Sequence, residues 1–373
     1  MSSVCLPAGD VFVPIKIEEN DIFTGIKQLL KVIRPSWETD IIKFKVCISK
    51  YLGYLFTSSL TVCTQFLIEL SCLFLFLNIL ASYHVFLLFL IISLQLFTDG
   101  ITNKLVACEP TNKTATDNNI VLVRIYGNKT DLLIDRHAEI RNIKTLNALG
   151  LAPKVYGVFE NGLAYEYYPG VTLTVDTVVD DTIWPLVAKQ MAKMHKVELD
   201  KQEPFVWDKI EQFLTLLPEP FNTEAKQKRF VNSFGSITKL RIEFERLKSH
   251  LTKTESPIVF AHNDLLLGNV IFNKDEGTIS FIDYEYATYN YQGFDIANHF
   301  NEFVDYSKYP SKQFQTSWIR EYLKEYLEKE PAEEYVEKVY SEVQLLSLAS
   351  HYLWGIWSLV QFEHSDIDFD FGR

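Results

Sequence analysis

Two acidic residues and one amide, spaced for phosphoryl transfer, are the residues of this chain best placed to do chemistry. His262, Asn263 and Asp264 open a loop that reaches Asn269, and Asp283 follows fourteen residues later. In ATP-dependent phosphotransferases an Asp accepts the proton of the attacking hydroxyl, while an Asn and a second Asp hold Mg²⁺ on the nucleotide phosphates. We therefore expect Asp264, Asn269 and Asp283 to be catalytic, with Asn269 and Asp283 as metal ligands, and ATP and Mg²⁺ as cofactors.

The elements around this loop strengthen the interpretation. Asn and Asp are ordinary turn residues, so the His-Asn-Asp triplet alone is a weak signal. Residues 257–260 form an apolar run that predicts a strand entering the loop, and residues 270–273 predict a strand leaving it. After a turn, a third apolar strand over residues 278–282 ends at Asp283. This order favours phosphoryl transfer over a chance loop.

Longer motifs on both sides of the loop resemble the choline/ethanolamine kinase family. These motifs are residues 98–104, 122–127, 282–286, 289–291 and 293–303. The residues at 96–104 and 298–303 are more similar to ethanolamine kinases than to choline kinases. The resemblance covers residues 96–373 well and residues 10–45 weakly.

This resemblance implies an α/β (α+β) two-lobed protein-kinase-like fold, with a small antiparallel-sheet N-lobe and a mostly helical C-lobe. It also implies phosphorylation of ethanolamine to phosphoethanolamine, the first step of the CDP-ethanolamine route to phosphatidylethanolamine. The alternatives are a kinase for choline or another small cationic alcohol, and a catalytically impaired, membrane-associated variant. The small-molecule partner expected is therefore ethanolamine, with choline as the second candidate.

The resemblance also assigns roles to residues outside the loop. The nucleotide would be bound by Gly100, Asn103, Arg124, Glu139 and Glu166, with Arg124 on phosphate and Glu139 paired to it. The substrate would contact Asp264, Glu302, Tyr306, Trp354, Trp357 and Phe369. Aromatic faces attract an ammonium by about 0.5–2 kcal/mol per contact. Each of these assignments has a structural alternative. Arg124 could be a cation that faces the edge of the sheet, Glu139 a surface glutamate, and Trp354 and Trp357 core residues.

Composition excludes several classes of function. The chain has 36 basic and 48 acidic residues, a net charge of −12, which disfavours nucleic acid as a partner. Its five cysteines form no Cys-x-x-Cys pair, so we expect neither structural zinc nor a disulfide framework, and a cytoplasmic location. No cleavable signal peptide is expected from the first twenty residues. The sequence leaves the oligomeric state open, a homodimer included.

We divide the chain into four parts by composition and resemblance. Residues 1–45 are an N-terminal helix and the start of the N-lobe, 46–95 an apolar insertion, 96–168 the nucleotide-binding N-lobe, and 169–373 the catalytic and substrate-binding C-lobe. The family continues past the position of Arg373 with a tyrosine-containing helix that closes the pocket. We expect one pocket wall to be missing if the protein ends at Arg373.

The C-lobe is predicted to be rich in helices. Helical patterns cover residues 182–196, 224–251, 318–327 and 332–362, and residues 131–149 form a further helix before them. In the last of these helices Leu345, Leu348 and Val360 are predicted to be core residues, together with Trp354 and Trp357. His195 is expected to be a packing or capping histidine.

The insertion at 46–95 has two interpretations. Its residues 70–97 are nearly all apolar, which is typical of a membrane span. The chain would associate with a membrane only if this segment is real. Alternatively, removal of Val46–Gln95 joins Lys45 to Leu96 and restores an alternating strand pattern that leads into the Gly100 loop. Valine codons begin with GT and glutamine can be encoded by CAG, which fits intron boundaries.

We favour a translated intron and predict that the working transcript lacks the 150 bases that encode residues 46–95. Sequencing of messenger RNA across the Lys45–Leu96 junction tests this. An abundant message that keeps all of these bases would contradict it.

Overall fold

A computed structural model describes residues 11–37, 42–47, 103–110, 120–127, 134–199, 203–303, 309–365 and 370–371. By its contacts the chain forms two units. Unit 1 comprises residues 1–130, 155–167 and 366–369, and unit 2 comprises residues 131–154, 168–365 and 370–373. The division made from sequence assigns residues 131–154 to the N-lobe, whereas their contacts place them in unit 2.

Unit 1 is built on a six-stranded sheet. Its strands are β1 (Phe12–Val13), β2 (Ile42–Cys47), β3 (Asn103–Pro110), β4 (Val121–Tyr126), β5 (Val155–Phe159) and β6 (Gly162–Glu166), in the order β1-β5-β6-β4-β3-β2. Only the β1–β5 pairing is parallel among these described strands. Helix α1 (Ile22–Ile33) buries Ile26, Leu29 and Leu30 in the core of this unit, because these positions recur on one helical face.

Strand β2 includes the first two residues of the predicted insertion at 46–95. The strand covers Ile42 to Lys45 of the predicted alternating pattern, and its backbone continues through Val46 and Cys47, which pair with Val106 and Leu105. Residues 48–102, and with them the apolar run at 70–97, lie outside the described residues. Within the part of the chain that is described, no helix has both the length and the hydropathy that crossing a bilayer requires.

Unit 2 is mostly helical. Its helices are α2 (Arg136–Ala148), α3 (Trp184–His195), α4 (Phe205–Leu216), α5 (Glu224–Phe234), α6 (Ile237–Leu251), α7 (Gln292–Asn301), α8 (Lys312–Leu327) and α9 (Glu333–His364). Its strands are β7 (Val171–Thr172), β8 (Ile258–Ala261), β9 (Val270–Asn273), β10 (Thr278–Phe281) and β11 (Thr288–Tyr291). The long helix α9 packs against α4, α6, α7 and α8, and the apolar faces of α4, α6 and α9 meet in one large cluster.

Two short sheets position the loop between β8 and β9. Strands β9 and β10 form the predicted antiparallel hairpin, and β9 also pairs with β7. Strands β8 and β11 pair antiparallel, with Ala261 opposite Thr288. The 262–269 loop therefore begins beside residues 282–287, which lead into β11. This register brings the two polar segments of the sequence together.

Two predictions about the helices are wrong. Residues 224–251 form two helices, because Gly235 leaves the helical conformation at φ +85° and Ser236 caps the next helix on the amide of Lys239. Leu345 and Leu348 are about half exposed, at 47% and 51%. The buried face of α9 contains Leu346, Ala349 and Leu353 instead. The face predicted from sequence is therefore displaced around the helix axis from the buried face. Val360 is buried, as expected.

Candidate active site

The start of the 262–269 loop is fixed by a buried carboxylate on α7. Asp295 accepts hydrogen bonds from the backbone N–H groups of His262 and Asn263, at 2.9 and 2.7 Å. Both bonds act on consecutive peptide groups directly before Asp264. Asn263 has φ 65°, a left-handed conformation that Asn adopts more readily than most residues. The Asp295 carboxylate thus holds the backbone turn that presents Asp264.

The side chain of Asn263 ties this turn to the approach to β11. Its Nδ2 donates to the carbonyl oxygens of Tyr286 and Thr288, at 2.9 and 3.2 Å, and its Oδ1 accepts from Asn290 Nδ2 at 2.8 Å. Asn263 and Asn290 are fully buried, so these bonds replace water rather than compete with it. The loop is therefore held from both the α7 side and the β11 side.

Asp295 is itself part of a buried chain of polar groups. His195 Nε2 lies 2.9 Å from Asp295 Oδ2, and His195 Nδ1 lies 2.8 Å from the hydroxyl of Tyr322. Burial works to raise the pKa of Asp295, but the hydrogen bond and charge of His195, together with His262, outweigh it and lower the pKa. His195 is a packing histidine, as expected, and it also orients the carboxylate that holds the loop.

Asn269 links the loop to the segment that carries Asp283. Its Nδ2 donates to the backbone oxygen of Asp264 at 2.8 Å, and its own backbone oxygen accepts from Ile282 N at 3.0 Å. His262 Nε2 lies 3.0 Å from the backbone oxygen of Ile282. Asp283, the next residue, has φ 70°, a conformation in which a non-glycine residue is uncommon. Three hydrogen bonds thus connect His262, Asp264 and Asn269 of the loop with Ile282, the residue directly before Asp283.

Tyr286 adjoins the turn that precedes Asp264, because its backbone oxygen accepts from the Asn263 side chain. Burial raises the pKa of the Tyr286 hydroxyl well above its ordinary value, and the charges of Glu285, Asp264 and Asp283 raise it further, whereas the Trp357 side chain lowers it. This phenol is therefore held in a buried environment of negative charge.

Three carboxylates could hold a metal ion in unit 2. Ligand oxygens of Glu139, Asp283 and Glu285 all lie within 4.8 Å of one another, and we call these residues the acidic cluster. Arg136 Nη1 donates to both Glu139 and Glu285, at 3.0 and 3.2 Å, and partly balances their charge. Carboxylate oxygen is the ligand type that Mg²⁺ prefers. The donor set of the acidic cluster therefore fits the divalent cation expected from sequence, and the predicted role of Asn269 as a second metal ligand stays a prediction.

An aromatic surface adjoins this region. The rings of Tyr286 and Trp354 meet edge to face at 5.4 Å between centroids, and Trp354 and Trp357 meet in the same way at 5.9 Å. We call these three residues the aromatic wall. Phe371 continues it, with its ring 5.9 Å from that of Trp357. Perpendicular rings present their electron-rich faces in different directions, which suits a cation enclosed from several sides.

Lys209 lies close to the Tyr286 ring of the aromatic wall. Lys209 Nζ lies 5.6 Å from the ring centroid of Tyr286 and 5.1 Å from that of Phe213. Burial lowers the pKa of Lys209 to about 8, although the negative charges of Glu285 and Asp135 oppose the shift. This ammonium group adds a second positive charge to the surroundings of Glu285, beside Arg136.

The remaining predicted site residues are distributed between the two units. Arg124 is buried on β4, opposite Leu163, and Glu166 ends β6 in the same unit. Glu139 belongs to unit 2, so its expected pairing with Arg124 joins two units and stays a prediction. Glu302 caps the C-terminus of α7, and Asn103 begins β3. Gly100, Tyr306 and Phe369 lie outside the described residues.

Several residues of this region were given no role in the site from the sequence. They are Arg136, Lys209, Asn263, Glu285, Tyr286, Asp295 and Asn298, and His195 was expected only to pack or to cap. Glu285 and Tyr286 stand next to Asp283, and their proximity was a usable signal. The others come from separate elements, and only the pairing of β8 with β11 and the packing of α3 and α7 bring them to the loop.

Comparisons with known proteins agree on one family. A family model described as choline/ethanolamine kinase matches residues 94–373. The ethanolamine kinase of Drosophila melanogaster is 42% identical over 422 aligned residues, which cover 96% of this chain and 76% of the relative. A probable ethanolamine kinase of Nematostella vectensis is 46% identical over 288 residues, 74% of this chain and 82% of the relative. A solved ethanolamine kinase of Plasmodium vivax superposes with a TM-score of 0.64 at 30% identity, over 74% of this chain and 78% of the other.

We predict that Asp295→Asn lowers the free energy of unfolding by roughly 1.5–3 kcal/mol at neutral pH, the usual contribution of a hydrogen bond to a charged group, because two buried backbone N–H groups lose a charged acceptor. A carboxylate whose pKa is lowered on folding stabilises the protein above its unfolded pKa, and this contribution is lost as pH falls through the folded value. The difference from wild type should therefore shrink below about pH 4. Urea unfolding at several pH values measures it.

Asp370→Asn provides the matched control. Asp370 pairs with Arg229 at 2.7 Å, but both side chains are exposed, and exposed ion pairs contribute little to stability. Equal losses for the two variants, or a loss at Asp295 that does not depend on pH, would contradict the role assigned to Asp295.

Proposed function

We propose that this chain, which belongs to the choline/ethanolamine kinase family, transfers the γ-phosphoryl group of ATP to the hydroxyl of ethanolamine. The product, phosphoethanolamine, would enter phosphatidylethanolamine synthesis. The observation that carries this proposal is the position of Tyr286. Its backbone oxygen accepts from the side chain of Asn263, directly before Asp264, while its ring packs on Trp354. A site for phosphoryl transfer and a surface for an ammonium group therefore adjoin.

In this proposal Asp264 accepts the proton of the attacking hydroxyl, and Asn269 and Asp283 hold Mg²⁺. When bound, Mg²⁺ neutralises the charge that develops on the phosphate oxygens. The hydrogen bonds that Asn263 donates to the Asp295 carboxylate and to the Tyr286 carbonyl hold the Asp264 backbone in place during the reaction. Such positioning accounts for much of the rate enhancement in phosphoryl transfer.

Glu139 has two candidate roles in this site. The family resemblance assigns it to Arg124, which would contact phosphate with its planar guanidinium. The acidic cluster instead offers it, with Glu285, as a further oxygen near Asp283. We propose the first role for the nucleotide-bound protein, together with Gly100, Asn103 and Glu166 as nucleotide contacts.

The acceptor would lie against the aromatic wall. Trp354 and Trp357 would attract its ammonium group, and Tyr306 and Phe369 belong to the same proposed pocket. Glu302 would accept hydrogen bonds from a primary ammonium, which a quaternary ammonium cannot donate. The names of the relatives favour ethanolamine over choline. We infer a cytoplasmic location for this reaction, and leave its oligomeric state open.

We predict that steady-state kinetics with ATP give the highest kcat/KM for ethanolamine, a lower value for choline and none measurable for kanamycin. The reason is that a primary ammonium uses both the aromatic wall and a carboxylate, whereas choline uses the wall alone. A coupled assay of ADP release measures all three. A preference for choline would overturn the substrate assignment, and turnover only with kanamycin would overturn the family-based function.

We predict that Asp264→Ala lowers kcat by about 10²–10⁴-fold, the usual contribution of a positioned general base. The protein should remain folded, as judged by its circular dichroism and thermal midpoint. Asp275→Ala removes an equal charge from the exposed turn between β9 and β10 and should leave kcat near that of wild type. Turnover of Asp264→Ala at the rate of Asp275→Ala would refute the role of Asp264.

A further inference from the structure

The side chain of Asn298 connects two parts of the site that have separate tasks. Asn298 lies on α7 and is 2% exposed. Its Nδ2 donates to the backbone oxygen of Asn263 at 3.2 Å, directly before Asp264. Its Oδ1 accepts from Trp354 Nε1 at 2.7 Å and from Ser350 Oγ at 2.7 Å. One buried amide is therefore shared by the 262–269 loop and the aromatic wall.

The partners of Asn298 determine which way its amide points. An indole N–H can only donate, and a backbone carbonyl can only accept. The amide oxygen must therefore face Trp354 and the amide nitrogen must face Asn263. A carboxylate of the same shape could still accept from Trp354, but it would set an oxygen against the Asn263 carbonyl. The side chain at position 298 must therefore carry a hydrogen-bond donor and an acceptor on one planar group.

The geometry at each end gives this bridge a consequence for catalysis. Asn263 is the left-handed residue whose position Asp295 fixes, and it presents Asp264. Trp354 packs edge to face on Tyr286 and on Trp357. A shift of the Trp354 indole therefore changes the hydrogen bond that Asn298 makes to the loop, because the planar amide moves as one body.

We propose that Asn298 is a positioning residue, which sets the separation between the ammonium-binding aromatic wall and the Asp264 carboxylate. This inference rests on the proposed function, since it takes Trp354 as part of the acceptor pocket. An amino alcohol with two carbons between nitrogen and oxygen leaves little freedom in that separation. A misplacement of about 1 Å can reduce the rate about 100-fold when reacting groups must be aligned.

The variants that test this are Asn298→Asp, Trp354→Phe and the two combined. Asn298→Asp should raise the KM for ethanolamine and lower kcat, and reduce kcat/KM by about 5–150-fold, as expected when a buried group loses its partner. The KM for ATP should stay within about threefold of wild type. A role in folding alone would reduce the active fraction, and hence kcat, while both KM values stayed constant.

Two matched controls make the same chemical changes elsewhere in unit 2. Asn147→Asp removes an amide that donates to the Ala152 carbonyl at 2.8 Å. Trp207→Phe removes a buried indole N–H that donates to the Tyr291 hydroxyl at 3.2 Å. Both should leave the KM for ethanolamine near that of wild type.

The double variant tests whether the two residues act as a unit. Residues that share one network show non-additive effects, so Asn298→Asp with Trp354→Phe should be no more than about threefold worse than Asn298→Asp alone. Losses that multiply in full would show that the residues act independently, and would overturn the proposal. An unchanged KM for ethanolamine in Asn298→Asp would overturn it as well.

Hydrogen exchange separates this inference from the proposed function, because it needs no turnover. In the protein without ligands, Trp354→Phe and Asn298→Asp should both speed amide exchange in the peptide 259–270, whereas Trp207→Phe should not. A failure of wild type to phosphorylate ethanolamine would refute the function only. Unchanged exchange in Trp354→Phe would refute the link through Asn298, whatever the acceptor is.

Discussion

The buried carboxylate of Asp295 is the interaction on which the site depends. It accepts from two consecutive backbone amides at the point where β8 ends and the 262–269 loop begins. A charged group without water is tolerated in a protein interior only where several donors surround it, and here the two amides and His195 provide them. The left-handed turn at Asn263 is thus held by a charge–dipole contact that a neutral side chain could not replace. Asp264 is the residue directly after that turn.

From this anchor the polar network extends in two directions. Asn263 and Asn290 carry it to the β11 side, and Asn298 carries it to Trp354 on α9. Asn263 uses both its donor and its acceptor to join the loop to β11, and Asn298 uses them on two different elements, so each fixes the relative position of two segments. The positive charges of Arg136 and Lys209 offset the negative charge of the acidic cluster. These hydrogen bonds hold the 262–269 loop in a fixed position next to the aromatic wall, which suits catalysis by positioning.

Much of this arrangement was predictable from local sequence. Residues 257–283 contain strand, loop, hairpin and turn in the order that the structure has, because apolar runs and turn residues determine short-range structure directly. Helix α9 was predicted within two residues at either end. The single helix predicted over residues 224–251 was wrong because Gly235, at φ +85°, ends the first helix and Ser236 begins the second. The exposed Leu345 and Leu348 show that an apolar side chain does not identify the buried face when a long helix is apolar on several sides.

The residues that hold the loop could not be predicted in this way. His195 and Asp295 are 100 positions apart, and Asn298 and Trp354 are 56 apart. Their pairing depends on how α3, α7 and α9 pack, which no local pattern encodes. Tyr286 was within reach of sequence reasoning, since it stands three residues after Asp283. Its links to Asn263 and to Trp354 depend on the β8–β11 register and on the packing of α9, which no local pattern encodes.

The most direct test is a structure determined with Mg²⁺ and a non-hydrolysable ATP analogue. We predict oxygens of Asp283 and Asn269 at about 2.0–2.1 Å from the metal, the distance that Mg²⁺ requires. The Asp264 carboxylate should then face the terminal phosphate with no metal ligand role of its own. A metal bound without oxygen from Asp283, or an Asp264 carboxylate turned away from the phosphate, would contradict this account of the site.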